Sequence, residues 1–227
     1  MTDALAPLAE RVERVRGEVA DAARSAGRDP AELTLIAVTK FHPASLVREL
    51  HELGIRDFGE NRHQEAREKA VELAGLGLAW HFVGQLQSKK ARQVREYASV
   101  VHSIDREALV SALAEAEHPL DCFLQINLTD DPARGGAQPA EAEALAESIA
   151  AAPGLHLLGV MAVAPLDEEP RAAFARLRAI SDRVTGVVPE ARFISAGMSH
   201  DFAEAIAEGA THLRIGTAIT GNRPPRD

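Results

Sequence analysis

The sequence predicts an α/β protein folded as a single (β/α)8 TIM barrel with one extra helix at its amino end. Three observations predict it. Eight short apolar runs, rich in Val, Ile, Leu and Phe, recur along the chain, and a helical stretch separates each from the next. Strands alternating with helices demand right-handed crossovers and a parallel sheet. The length, 227 residues, is that of one closed barrel, usually about 200 to 250 residues. A doubly wound open sheet is the runner-up, but eight units and the lack of a G-x-G-x-x-G turn favour closure. No composition shift marks a linker, so residues 1–227 read as one domain, with residues 1–30 supplying a helix packed on the barrel.

In order, residues 4–26 carry apolar side chains at Leu5, Leu8, Val12, Val15, Val19 and Ala22, the spacing of an amphipathic helix. Gly27 and Pro30 end it. The first strand follows in Leu33 to Lys40 (LTLIAVTK), a run suited to burial on both faces. Pro43 starts a helix to Leu53, and Ile55 to Phe58 is the second strand, leading into Gly59, Glu60 and Asn61. Later strands are expected at Ala79–Val83, Val100–Ile104, Cys122–Leu128, His156–Val163, Arg192–Ala196 and Thr211–Ile215. The helices between them are expected at Arg62–Leu73, Ser88–Ala98, Asp105–Ala116, Pro139–Ala151, Pro170–Val184 and Asp201–Glu208.

A hydrophobic fraction of 46% is ample for a core, and a net charge of -9 argues against nucleic acid or an anionic membrane as partner. The single cysteine, Cys122, cannot close an internal disulfide, which fits a reducing cytoplasm. There is no apolar run of about 18 residues and no basic-then-apolar leader. A cytoplasmic protein is expected, and a monomer.

Barrels place their chemistry at the carboxyl ends of the strands, and Lys40 ends the first. Partial burial of an amine there would disfavour its charged form and leave the neutral nucleophile that a Schiff base needs; alternatively, it is a surface lysine closing a strand. After the seventh strand come Gly197, Met198, Ser199 and His200, and after the eighth Gly216 and Thr217. These loops commonly bind phosphate at the start of a short helix; the other reading is a helix cap at Ser199 and a plain turn at Gly216. Arg214 shares a strand face with His212, opposite Leu213 and Ile215. Inside a barrel its guanidinium either pairs with a carboxylate or meets a ligand heteroatom. Asn61 is a polar rim group or a helix cap, and Trp80 and His81 wall a ligand or pack in the core. The nine histidines show no metal-ligand spacing, and neither G-x-S-x-G nor a P-loop occurs.

The stretches LIAVTK, DFGENRHQE, WHFVGQLQSKK, SIDR, LGVMAV, SAGMSHD and THLRIGTAITG, in that order over nearly the whole chain, resemble the pyridoxal phosphate homeostasis proteins. That family is close to the amino-terminal barrel of alanine racemase. The resemblance implies a pyridoxal 5′-phosphate (vitamin B6) binder that holds the cofactor covalently, as a Schiff base on Lys40. It implies that Ser199, Gly216 and Thr217 hold the phosphate, that Arg214 faces the pyridine nitrogen, and that Asn61 lies near the ligand. The chain departs from the family at Phe41-His42, His200 and Thr220, none of which removes a cofactor-binding side chain.

A carrier rather than a catalyst is expected. A racemase of this lineage uses a second base, a tyrosine from an additional β domain, whereas this chain stops at Asp227 and its only tyrosine is Tyr97. An arginine at the pyridine nitrogen also weakens the ring as an electron sink. Cofactor homeostasis without turnover is therefore expected, with apo-enzymes of the cofactor as partners. The alternatives are a pyridoxal-dependent enzyme such as a weak amino-acid racemase, and a cofactor-free Schiff-base aldolase.

Overall fold

The first helix, α1 (Leu8–Ser25), buries Val12, Val15, Val19 and Ala23 along one stripe and carries charge on the other faces. The computed structural model describes residues 7–221 other than Ala116 and Asp130, so the expected helix start at residues 4–6 and the chain end lie outside it. Eight parallel strands follow: β1 (Thr34–Val38), β2 (Asp57–Glu60), β3 (Ala79–Phe82), β4 (Val100–Ile104), β5 (Leu120–Gln125), β6 (Leu155–Met161), β7 (Phe193–Ser195) and β8 (His212–Ile215). They pair in sequence order, and β1 closes on β8 through Ile36 opposite Arg214. Between them run α2 (Ala44–Glu52), α3 (His63–Glu72), α4 (Ala91–Arg95), α5 (Glu107–Leu113), α6 (Ala142–Ala151), α7 (Pro170–Val187) and α8 (Phe202–Ala207), and α9 (Thr217–Thr220) follows β8. The expected eight-stranded barrel is thus observed.

Alternation along each strand divides the side chains into two layers. Ala37, Phe58, Trp80, Val101, Cys122, Leu124, Leu213 and Ile215 join the apolar layer between strands and helices. The opposite parity points inside, where Val100, Phe123 and Met161 form a small separate cluster. Around that cluster the barrel interior is polar. His81, His102, Ser195 and Arg214 are all at most 5% exposed. Helix α1 lies against α8 and α9, tied by Arg11 Nε donating to Ile219 O (2.7 Å) and Arg28 donating to Ala210 O (2.6 Å).

Several boundaries shift for local reasons. The second strand begins at Asp57, not Ile55, because Gly54 and Ile55 close α2. Gly54 adopts φ +85, its amide bonds His51 O (2.9 Å), and Ile55 N reaches back to Leu50 O (3.0 Å), a Schellman end. The first strand ends at Val38, so Lys40 stands two residues beyond it in a turn. Residues 88–98 form a 3-10 turn (Ser88–Lys90) and then α4 instead of one helix. Helix α5 stops at Leu113, since Glu115 N is taken by Pro153 O (2.8 Å). Residues 126–128 leave β5, where Asn127 N pairs with Ala137 O (2.9 Å).

Candidate functional site

The loops after β1, β2 and β8 are neighbours on the carboxyl-end rim, because β1 pairs with β2 on one side and β8 on the other. Lys40 has the parity of Ile36 and Val38, whose methyl groups lie where a Cβ on Gly59 would project. The lysine is half-buried, and among the described residues no hydrogen bond or ion pair engages its amine.

What holds the Lys40 turn is ionic. Phe41 has φ 68, the only left-handed non-glycine among the described residues, a conformation costing about 1–2 kcal/mol. Its amide donates to Glu65 Oε1 (2.5 Å) and its ring lies 5.5 Å beneath the Arg62 guanidinium. Behind the turn, Lys69 Nζ donates to Glu60 Oε1 (2.6 Å), Glu65 Oε1 (2.8 Å) and Thr39 O (2.8 Å), and Thr39 Oγ1 donates to Glu60 Oε1 (2.7 Å). Glu60 is buried, and its Oε2 has no hydrogen-bond partner among the described residues. Burial pushes this carboxyl above its usual range, with Lys69 opposing the shift.

On the other side of β1, the loops after β7 and β8 meet. Ser199 Oγ accepts from Ala218 N (3.2 Å) and from Thr217 Oγ1 (3.4 Å), and Gly216 precedes the first turn of α9. Ser199 therefore bridges two loops and does not cap α8, whose start shows no side-chain cap. Gly197 adopts φ +89, and a Cβ there would lie 2.8 Å from Ala205 Cβ and 2.9 Å from Phe202 Cα, so its smallness permits close packing against α8. A Cβ on Gly216 would make only ordinary contact with Val38 (3.8 Å).

Arg214 is buried and meets no carboxylate among the described residues. It donates to Ser195 Oγ (2.6 Å) and Ala162 O (2.8 Å), and burial lowers its pKa to about 10. The carboxylate alternative is thereby excluded among the described residues. Asn61 does not cap α3. Its Oδ1 is buried without a hydrogen-bond partner among the described residues, and its backbone packs against Gly84, where a Cβ would lie 2.3 Å from Asn61 O. Asn61 also borders a cleft of about 560 Å³ with Arg62, Gln85 and Lys90. Trp80 packs in the outer layer, while His81 turns inward and hydrogen-bonds.

Sequence reasoning missed the Thr39–Glu60–Lys69–Glu65 cluster and Ser195. The Glu65/Lys69 spacing of four on a helix was a visible signal. A glutamate closing a buried strand was another.

Residues 14–224 match the family described as alanine racemase, N-terminal domain. A pyridoxal phosphate homeostasis protein of Pseudomonas aeruginosa is 43% identical over 227 residues, covering 96% of this chain and 97% of the relative. The chain belongs to the pyridoxal phosphate homeostasis family, within the alanine racemase N-terminal-domain fold. Its Escherichia coli K12 relative of the same name is 39% identical over 226 residues, covering 95% of this chain and 97% of that one. The structure of PipY from Synechococcus elongatus with pyridoxal phosphate bound superposes at TM-score 0.83, with 36% identity, over 95% of this chain and 100% of PipY. Alanine racemase from Corynebacterium glutamicum shares the fold at TM-score 0.65 and 19% identity, over 91% of this chain and 60% of the racemase.

Proposed function

We propose that the chain binds pyridoxal 5′-phosphate at the carboxyl end of its barrel, holds it as a Schiff base on Lys40, and serves cofactor homeostasis without turnover of its own. The observation that carries this is the Lys40 amine: half-buried, on the inward parity of β1, and without a partner among the described residues. An amine so placed is available to an aldehyde. The bridged Ser199 and Thr217 hydroxyls and the Gly216 backbone suit a phosphate. The remaining donors of Arg214 suit a ring nitrogen, and the unpartnered Asn61 Oδ1 suits a hydroxyl. When bound, the cofactor supplies a conjugated aldehyde and ring.

The carrier reading draws support from the state of Tyr97, the one tyrosine in the sequence. Tyr97 follows α4, and its hydroxyl is 3.5 Å from His63 Nδ1. Burial, with Glu60 adding, pushes its phenol well above the usual value. On this reading residues 1–227 act as one binding domain, a monomer in the cytoplasm, with apo-enzymes of the cofactor as recipients.

The test is a visible absorption spectrum of the purified chain before and after borohydride. A band that borohydride removes, and that Lys40→Ala abolishes, is expected. A reducible adduct surviving in Lys40→Ala overturns the lysine assignment. Exchange of amino-acid α-protons in deuterated water overturns the absence of turnover and makes the chain a pyridoxal-dependent enzyme.

A further inference from the structure

A chain of five polar side chains runs through the barrel interior. Arg214 donates to Ser195 Oγ (2.6 Å), and Ser195 Oγ is 2.9 Å from His102 Nδ1. His102 Nε2 is 2.9 Å from His81 Nδ1, and His81 Nε2 is 3.0 Å from Asp57 Oδ1. Asp57 opens β2, so it stands at the amino-terminal end of the strands, opposite the candidate site. The three central members are 3% exposed or less.

Protons can be arranged along this chain in one way that leaves neither the Ser195 hydroxyl nor either imidazole without a partner. A guanidinium only donates, so Ser195 Oγ accepts from Arg214. Were His102 Nδ1 also a donor to that oxygen, the buried Ser195 hydroxyl proton would face no acceptor among the described residues, and a buried unsatisfied donor is costly. The hydroxyl therefore donates to His102 Nδ1. His102 carries its proton on Nε2 and donates to His81 Nδ1, and His81 donates from Nε2 to the Asp57 carboxylate. Both imidazoles are neutral in this order. The groups facing them are Asp57 from β2, which accepts from His81, and His212 and Arg214 from β8, which oppose a charge on His102. For His102, burial, then His81, Arg214 and His212, hold the pKa well below the usual value. His102 is further fixed by stacking on Phe123 at 4.6 Å.

We propose that Ser195, His102, His81 and Asp57 form a one-directional hydrogen-bond relay that positions Arg214, so that the guanidinium's place at the cofactor depends on the far end of the barrel. The inference rests on the reading of Arg214 as a cofactor-facing group. None of the four is a catalytic residue. They are positioning residues acting through Arg214.

Two measurements test it. Nitrogen-15 NMR of the histidine rings in the cofactor-free chain at neutral pH should show Nε2–H tautomers for both His81 and His102; an Nδ1–H tautomer at either overturns the relay. Pyridoxal phosphate titration then separates relay from packing. His102→Phe keeps an aromatic ring on Phe123 but breaks the chain, and should weaken binding about tenfold, the loss expected when a charge-linked hydrogen bond goes. His102→Gln, which can both accept and donate, should bind within about threefold of the unaltered chain. Phe binding as tightly as His, or Gln no better than Phe, overturns the proposal. If His102→Phe does not fold, Ser195→Ala takes its place, with the same tenfold weakening expected and unchanged affinity overturning it. Should the unaltered chain take up no pyridoxal phosphate, the proposed function fails, and the tautomers alone decide the relay.

Discussion

Replacing Lys69 by methionine removes the one ammonium that three oxygens share behind the Lys40 turn: Glu60 Oε1, Glu65 Oε1 and Thr39 O. Glu65 retains the Phe41 amide. Glu60, 1% exposed, retains only the Thr39 hydroxyl. Breaking a buried pair by deleting one partner costs ~3–5 kcal/mol, because the other charge is left uncompensated. Glu60 can escape by taking up a proton. From its reference value of 4.5, doing so at neutral pH costs ~3.4 kcal/mol at 1.36 kcal/mol per unit. Burial already raises this carboxyl, which makes the escape easier, so the loss should settle at ~3 kcal/mol. In a chain of this size that lowers Tm by ~6–12 °C. The sign with pH follows. In the variant the folded-state pKa of Glu60 lies above the unfolded one, so stability is present at low pH and lost as pH rises through the folded value. Urea unfolding followed by circular dichroism should therefore show a large deficit at about pH 7.5 that shrinks at about pH 5. A deficit below ~1 kcal/mol, or one unchanged between the two pH values, refutes the reasoning.

The remaining predictions are shorter. Glu60→Gln keeps an acceptor for Thr39 and Lys69 while removing the buried charge, so unfolding free energy should change by less than ~1 kcal/mol; a loss as large as that of Lys69→Met would show that the charge itself holds the turn. His212, whose pKa burial lowers to about 4, resists protonation only when folded. Stability should fall as pH drops from about 6.5 toward 4, with ~3 kcal/mol of that slope from this group, and urea melts of His212→Gln should show the slope reduced. Gly84→Ala drives a methyl to 2.3 Å from Asn61 O; it should displace the Asn61 loop and weaken pyridoxal phosphate uptake, read by titration. Cys122 is fully buried and its thiol is pushed up by that burial, so a thiol reagent should react only at the rate of unfolding.

Strand order and the closing of the barrel were legible because the outward parity of the strands is mostly apolar, Glu60 of β2 being an exception, which makes each strand read as a run. Boundaries were less so. Ile55 is as apolar as any strand residue, yet its amide ends α2 through Leu50 O, a choice made by the left-handed Gly54. Lys40, Arg214, Ser199 and Thr217 stand out in the sequence by their places on or after the first, seventh and eighth strands. The ties among them do not, since Ser199 joins Ala218 across 19 residues and Lys69 reaches Thr39 across 30. A sequence states spacing along the chain. It does not state which inward side chains face one another across a barrel.

The two parities carry different burdens. The outer layer is almost wholly apolar and accounts for the burial that stabilises the fold. The inner parity carries Asp57, His81, His102, Ser195 and Arg214, groups that are expensive to desolvate. Well-packed apolar groups in their place would be as stable or more so, so stability does not explain the polar interior. It is tolerated because its members bond one another in series, from the guanidinium at one end to a carboxylate at the other. What it provides is a cation held at a fixed point inside the barrel, on the strand that closes against β1. A barrel with an apolar interior could fold equally well, but it would offer an incoming anion no charge from within.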